Sequence, residues 1–215
     1  SYKRMQKMLV IGAKGMAKEL LEILSGEMLL KDSEIVFYDD INTENKVLYG
    51  RFKIITDIRT ASQYFETGNN KFTLGLGNPQ LRKQMAEKFM ALGGELTSII
   101  SSSAKVGSFK TKINNGCQIM QGVIITNDVY LGKGVLVNLN STISHDCIIG
   151  DYSEIACNVS IPGGCSIGKN VFIGSNATLM PNITVGDNVI VGAGTVVINN
   201  VPPNVTVVGN PNRIL

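Results

Sequence analysis

The amino-acid sequence predicts two parts of different fold class: a small α/β domain with a parallel sheet over residues 1–104, then a parallel β-helix over 105–215. In the first hundred residues, short apolar strands alternate with amphipathic helices, a pattern typical of a parallel α/β sheet. Beyond them, an aliphatic residue returns at every sixth position. A period of six matches neither an α-helix nor a simple strand, and hexapeptide repeats are typical of β-helices.

Three strands of the α/β part end in loops that can bind a ligand. We predict strands at residues 7–11, 34–38 and 72–76, followed by the loops Gly12–Gly15, Asp39-Asp40 and Gly77-Asn78. The carboxyl ends of parallel strands form one edge of the sheet, where ligands bind in such folds.

Two interpretations of these loops stay open. The first loop lacks the middle glycine of the dinucleotide fingerprint, because Lys14 stands there. It is either a tight strand-to-helix turn or a loop that holds a phosphate on free N–H groups. The two aspartates are either solvated turn residues or acceptors for a base or ribose.

A helix follows the third loop. Asn78 suits the N-cap and Pro79 the first turn, while Gly93-Gly94 end the helix. We predict that its buried stripe consists of Leu81, Met85, Phe89 and Leu92. Residues 101–112 are the expected junction.

The hexapeptide repeat runs without a break in phase. Its aliphatic positions are Ile113, Ile119, Ile125, Leu131, Val137, Ile143, Ile149, Ile155, Ile161, Ile167, Ile173, Leu179, Val185, Val191 and Val197. Three units make a coil of eighteen residues, so about four to five coils are expected. Val106-Gly107 reads as an out-of-phase first corner. Glycine often follows the aliphatic residue, and we interpret it as suiting turn backbone that other residues disfavour.

His145 is the single histidine of the chain, at an outward-facing position of its repeat. Stepping by eighteen places Asn127, His145 and Gly163 on successive coils of one face. An imidazole there is either an unremarkable surface group or a base that works near neutral pH, oriented by Asp146.

The cysteines and the charge balance narrow the function. Cys147 and Cys165 stack on adjacent coils at small-residue corners, so we expect them to serve packing. A single histidine argues against the three-histidine zinc site of γ-class carbonic anhydrases, and we predict no metal. A net charge of +3 disfavours nucleic-acid binding. Without a long apolar run or a visible secretory signal, we expect a cytoplasmic protein with no membrane span.

Several motifs together resemble one family. GAKG, the DD after the second strand, GLGNPQLR, NSTISHDCIIGD and VPPNVTVVGNP are similar, in this order, to bacterial sugar acetyltransferases of the PglD and NeuD types. The resemblance implies a left-handed β-helix, acetyl-CoA as co-substrate, and a homotrimer with active sites between neighbouring prisms. It also implies that His145 is the general base and that Asp146 supports it.

The resemblance assigns binding residues as well. The nucleotide sugar is expected at Gly12, Lys14, Gly15, Asp39, Asp40 and Gly77. Acetyl-CoA is expected at Glu154, Gly163, Ser175 and Ala193. The chain departs from the family where Glu154 replaces a second histidine and where the junction reads Ser101-Ser-Ser-Ala104.

Three functions follow as alternatives. The first is direct N-acetylation of a nucleotide-linked amino sugar of the UDP-4-amino type, with His145 as base. The second is O-acetylation of a sialic-acid-like sugar. The third is a trimer that binds a nucleotide without catalysis.

Overall fold

The computed structural model describes residues 7–215, which form two compact units. The first comprises the residues up to Gly77 together with Leu81–Ile99; the second comprises Ile100–Leu215 together with Asn78–Gln80. The second unit thus begins before the predicted boundary at residue 104. Residues 1–6 of the predicted first domain lie outside the described part.

Among its described residues, the first unit contains one sheet and three α-helices. Its elements are β1 (Met8–Ile11), α1 (Gly15–Leu21) continued by a π-helical segment (Glu22–Glu27), a 3-10 turn (Asp32–Glu34), β2 (Ile35–Tyr38), β3 (Val47–Leu48), β4 (Phe52–Ile55), α2 (Ile58–Glu66), β5 (Lys71–Leu74), α3 (Pro79–Ala91) and β6 (Glu95–Leu96). The strand order is β3-β4-β2-β1-β5-β6, and all pairs except β3–β4 are parallel. The predicted α/β sheet is confirmed.

Apolar strands and an aromatic cluster form the core of this unit. β1 is buried throughout, as expected for a strand covered on both faces. Phe72 and Phe89 contact each other at 5.8 Å between ring centroids, and Tyr38 meets Phe89 edge-on at 4.9 Å. These contacts attach α3 to the sheet.

The predicted stripe of α3 is partly wrong. Leu81 is 39% exposed, whereas Arg82, Ala86 and Phe89 are fully buried. The buried face of the helix thus includes Arg82, whose guanidinium donates a 2.8 Å hydrogen bond from Nη1 to the carbonyl of Leu76. A buried cation requires such partners, and spacing alone does not reveal them.

The second unit is a triangular prism of two-residue strands. They are β7 (Ile99–Ile100), β8 (Lys105–Val106), β9 (Lys112–Ile113), β10 (Gln118–Ile119), β11 (Ile124–Ile125), β12 (Tyr130–Leu131), β13 (Leu136–Val137), β14 (Thr142–Ile143), β15 (Ile148–Ile149), β16 (Glu154–Ile155), β17 (Ser160–Ile161), β18 (Ser166–Ile167), β19 (Phe172–Ile173), β20 (Thr178–Leu179), β21 (Thr184–Val185), β22 (Ile190–Val191) and β23 (Val196–Val197). β24 (Thr206–Val208) and β25 (Arg213–Ile214) close the last coil as an antiparallel pair.

Three parallel ladders form the faces of the prism. The first face runs from β7 through β10, β13, β16, β19 and β22 to β24; the second from β8 to β23; the third from β9 to β21. From β9 to β23 partners are eighteen residues apart, as in Ile125 with Ile143. The offset is nineteen at the start, where Ile125 pairs with Val106, and sixteen at the end, where Val191 pairs with Val207. The predicted parallel β-helix and the out-of-phase turn at Val106-Gly107 are confirmed.

The faces meet at three corners. The first corner, between the first and second faces, includes residues 174–176 and 192–194; the second corner includes 144–146 and 162–164; the third corner includes 150–152, 168–170 and 186–188. Each corner contains a residue in left-handed conformation, such as Asp146 at φ 58° and Asn170 at φ 55°. Asn, Asp and Gly adopt this conformation at the lowest cost.

The prediction about the repeat glycines is wrong in its reason. Glycines such as Gly150 and Gly174 are not the left-handed residues of the corners. They are needed because the next coil comes too close: a β-carbon on Gly150 would stand 2.5 Å from the carbonyl of Gly168. The buried core of the prism consists of the aliphatic positions and the small corner residues.

Candidate functional site

His145 and Asp146 form a hydrogen-bonded pair at the second corner. Asp146 Oδ2 accepts from Nδ1 of the imidazole at 2.7 Å, and the two side chains are 68% and 65% exposed. The corner conformation of Asp146 places its carboxylate beside the preceding ring. Because Nδ1 donates to the carboxylate, Nε2 carries the lone pair of the neutral ring and can accept a proton.

Gly163 lies against the imidazole on the next coil. A β-carbon there would stand 2.5 Å from Cε1 and 2.7 Å from Nε2. The carbonyl of His145 also accepts from the backbone N–H of Gly164 at 3.0 Å. The imidazole is thus held by Asp146 on its own coil, and on the next coil it faces Gly163, which has no side chain.

The four residues predicted to bind acetyl-CoA do not form one cluster. Ser175 and Ala193 follow one another at the first corner, and Gly163 lies beside His145 at the second corner, so these three flank the second face. Glu154 lies on the first face instead. In a triangular prism that face is opposite the second corner, so Glu154 is remote from His145 of its own chain.

Glu154 is 8% exposed and has a structural partner. Its Oε2 accepts from the backbone N–H of Asn78 at 2.7 Å. Asn78 has a left-handed backbone, φ 68°, immediately before α3. The contact fixes this segment through a charge-assisted bond, a role that the sequence analysis did not foresee because it joins residues far apart in sequence.

Three predicted nucleotide loops meet at one edge of the first unit. The backbone N–H of Gly12 donates to the carbonyl of Tyr38 at 2.8 Å, and a β-carbon on Gly12 would stand 2.6 Å from the carbonyl oxygen of Gly75. The ends of β1, β2 and β5 are therefore adjacent. Lys14 and Gly15 begin α1 there, and Gly77 lies beyond the end of β5.

Both aspartates of the second loop have partners within the protein. Asp39 accepts from the backbone N–H groups of Ile41 and Asn42 at 3.0 and 3.1 Å. Burial alone would raise the pKa of Asp39, but hydrogen bonds from Asn42 and Ile41 and the charge of Lys14 outweigh it and lower that pKa.

Asp40 is held from two sides. Its Oδ2 accepts from the hydroxyl of Tyr38 at 2.9 Å and lies 3.5 Å from Nζ of Lys88. Burial, together with the bond to Asp40, raises the pKa of Tyr38. The side chain of Asp40 is 43% exposed, so its carboxylate can still accept hydrogen bonds from the solvent side.

The cysteines are arranged for packing. Cys147 and Cys165 are 0% and 1% exposed, and their thiols donate to the carbonyls of Pro162 and Met180 at 3.2 and 3.4 Å. The hydrogen bond with Cys165, together with burial, raises the pKa of Cys147. Among residues 7–215 there is no group of three His, Cys, Asp or Glu side chains arranged for a metal. No helix in that range is long and apolar enough to cross a bilayer.

Two family models match the sequence. The PglD N-terminal domain matches residues 7–89, and the bacterial transferase hexapeptide model of six repeats matches residues 164–199. The two matches coincide with the sheet loops and with the later coils.

Solved structures match nearly the whole chain. The acetyltransferase domain of PglB from Neisseria gonorrhoeae is 30% identical, over 98% of this chain and 100% of that one, with a TM-score of 0.90. That domain has also been solved with acetyl coenzyme A. Perosamine N-acetyltransferase from Caulobacter crescentus, in a complex with CoA and GDP-perosamine, is 27% identical over 97% and 96% of the chains, with a TM-score of 0.87. WeeI from Acinetobacter baumannii is 26% identical over 97% and 99%, also at 0.87.

These matches cover both units in the predicted order, so the fold is a small α/β domain followed by a left-handed parallel β-helix. They also agree with the family predicted from the motifs. The chain belongs to the PglD-type hexapeptide-repeat acetyltransferases and is an acetyltransferase that uses acetyl-CoA.

Proposed function

We propose that the protein N-acetylates a nucleotide-linked amino sugar by direct transfer from acetyl-CoA, with His145 as general base. The His145–Asp146 pair carries the proposal, because it presents a free Nε2 on a rigid corner. The similar Caulobacter enzyme is a perosamine N-acetyltransferase bound to a GDP-sugar. We expect a 4-amino sugar as acceptor, with UDP as the first nucleotide to test.

The pair supports a simple proton balance. The amine nitrogen attacks the thioester carbonyl carbon, the C–S bond breaks, and an amide forms. His145 Nε2 takes the proton that the amine loses, and the resulting imidazolium can return it to the departing thiolate. Asp146 stabilises the imidazolium through Nδ1. Holding both substrates in place supplies much of the acceleration.

The nucleotide is proposed to bind at the sheet edge of the first unit. Gly12, Lys14, Gly15 and Gly77 would approach the phosphates through backbone N–H groups and one cation, while Asp39 and Asp40 accept from the base or ribose. Acetyl-CoA is proposed to contact Gly163, Ser175 and Ala193. For Glu154, whose carboxylate is occupied by Asn78, we propose an indirect contribution to that site.

We further propose a homotrimer in the cytoplasm. The second corner bearing His145 faces away from the first face of its own prism, so a neighbouring chain can supply the opposite wall of a shared site. Three-fold closure gives each chain the same pair of contacts. The four cysteines all lie among the described residues and none forms a disulfide, which suits a reducing compartment.

The test is an acetylation assay with UDP-, GDP-, CMP- and dTDP-linked sugars, each supplied in an amino and a hydroxyl form. We expect turnover of an amino form only. His145→Ala should keep acetyl-CoA affinity and lose roughly 10²–10⁴-fold in turnover, the usual contribution of a general base. Preferred turnover of a hydroxyl form would establish O-acetylation instead, and near-normal turnover by the alanine variant would remove His145 from the mechanism.

A further inference from the structure

A groove of about 360 Å³ lies on the later coils of the prism, outside the residues assigned above. One wall is the segment with Asn78 and Gln80; the other is Asn170 and Asn188 of the third corner, with Phe172 and Ile190 of the first face. All of these residues belong to the second unit. The lining has four amide side chains, aromatic and aliphatic surface, and no ionisable group.

A column of asparagine amides ends in this groove. Nδ2 of Asn170 donates to Oδ1 of Asn188 at 3.3 Å, and Nδ2 of Asn188 donates to Oδ1 of Asn204 at 2.9 Å. The three residues occupy the left-handed position on successive coils, with φ of 55°, 58° and 63°. The column therefore has a fixed direction along the corner.

The last atom of the column has no partner. Oδ1 of Asn170 is buried and accepts no hydrogen bond from the described residues. Turning every amide over would leave Nδ2 of Asn170 unpaired instead, so the deficit does not depend on the direction of the column. An unsatisfied buried polar atom costs about 1–3 kcal/mol, which a ligand hydrogen bond would recover.

The chemistry of the lining selects a kind of ligand. With no cation present, the groove offers a phosphate nothing to neutralise its charge. Amides suit hydroxyl groups, because each amide both donates and accepts. Phe172 and Ile190 offer apolar surface for the C–H faces of a ring. A pyranose ring combines these two features.

We propose that this groove binds the sugar ring of the nucleotide-linked acceptor, and that Oδ1 of Asn170 accepts from a ring hydroxyl other than the reacting amine. The assignment rests on the proposed function. Asn78, which lines the groove, follows directly in the chain on Gly77, a residue proposed to bind the nucleotide.

The first face also fits this assignment. Asn170 lies just before β19 and Phe172 is its first residue, while Ser175 follows the strand at the first corner, where acetyl-CoA is proposed. The sugar would approach the first face from the third corner, and the thioester would approach it from the first corner. Since His145 of the same chain lies at the opposite corner, the base would come from His145 of the partner subunit.

The test compares Asn170→Gly with Asn204→Gly. Both changes remove an amide and keep the left-handed backbone available, but Asn204 does not line the groove. Calorimetry would measure three probes: the best-bound nucleotide-linked 4-amino-4,6-dideoxyglucose, the matching nucleoside diphosphate, and CoA. We expect Asn170→Gly to weaken the nucleotide sugar about tenfold, or ~1.4 kcal/mol, with the other two probes unchanged. Asn204→Gly should change none of the three.

A conservative variant tests whether Asn170 acts as a hydrogen-bond acceptor or only through the shape of its side chain. Asn170→Asp keeps an acceptor oxygen and tolerates the corner, so it should retain most of the affinity for the sugar. If Asp and Gly weaken the sugar equally, the acceptor role is wrong. If Asn170→Gly weakens CoA alone, the groove holds the pantetheine arm and our assignment fails. A wild-type enzyme that turns over the nucleotide sugar while Asn170→Gly binds it normally refutes the groove only, whereas a wild-type enzyme that binds none of these sugars refutes the proposed function as well.

Discussion

The imidazole of His145 lies over Gly163 of the next coil, so closely that a β-carbon would stand 2.5 Å from Cε1. Gly163 is not one of the left-handed residues, so its backbone conformation would accept alanine, and the three atoms nearest to such a β-carbon all belong to the imidazole ring. The glycine is therefore a positioning residue for the proposed base.

The first prediction follows from this contact. Gly163→Ala should displace the imidazole and lower kcat about 10²-fold, the scale on which small misplacements act. The melting temperature should change little, because the ring is exposed and can move away.

A double-mutant cycle supplies the control. In the His145→Ala background, Gly163→Ala should have almost no further effect on turnover, since both changes act through the imidazole of His145. Equal losses in both backgrounds would mean that Gly163 acts on acetyl-CoA independently of the histidine.

The second prediction concerns the aspartates of the sheet edge. Asp39→Asn combined with Asp40→Asn keeps amide acceptors for the loop but removes both charges. We expect the acceptor KM to rise about tenfold with kcat at saturation near wild type, as for a residue that acts in binding only. Asp57→Asn is the control, because Asp57 also accepts from a backbone N–H, that of Thr60, but caps the N-terminus of α2 and is not part of the Asp39-Asp40 loop. A collapse of kcat at unchanged KM would contradict the nucleotide site.

The third prediction is a pH dependence of the Asp39 loop. Its carboxyl has a pKa below the usual 3.8, because the hydrogen bonds and Lys14 outweigh burial. A depressed folded-state pKa means that the stabilisation is complete above 3.8 and is lost as the pH falls through the lower value. The melting-temperature difference between wild type and Asp39→Asn should thus be constant from about pH 5 to 7 and shrink below about pH 4. A difference that persists unchanged at the lowest pH would argue against this account.

The fourth prediction separates two roles of Glu154. Because its carboxylate accepts from the backbone of Asn78, Glu154→Ala should destabilise the protein by about 1–3 kcal/mol through an unpaired N–H. Glu154→Gln, which retains an acceptor, should recover part of that stability. Denaturation measures this effect, and calorimetry with CoA should give dissociation constants close to wild type. A large loss of CoA affinity with normal stability would favour direct contact with the co-substrate.

The fifth prediction is the assembly. Light scattering should give a mass near three times 23.1 kDa. Mixing inactive His145→Ala chains with chains inactivated at the acetyl-CoA surface should restore activity, because a shared site can combine one intact half from each. A fully active monomer would exclude the shared site.

Most of the prism could be predicted from the sequence because every sixth residue is aliphatic and points into the core. Once Ile143 and Ile149 were placed inside, the outward position of His145 followed. The groove at Asn170 was not predicted, although the column Asn170–Asn188 could have been noticed by stepping eighteen residues along the third corner. The burial of Arg82 and the bond between Glu154 and Asn78 were inaccessible, since they join segments whose contact depends on tertiary packing and not on period.

The eighteen-residue register that holds from β9 to β23 constrains how a gene for this protein can change length. Within the repeat, a deletion of one hexapeptide before residue 143 would leave every aliphatic residue inside but rotate the later residues by one face. His145 would then lie at a different edge of the prism, relative to the coils that precede the deletion, from the edge it occupies now. A gain or loss of eighteen residues restores every edge. Lengthening by whole turns is thus the change that leaves the directions of the chemical groups intact.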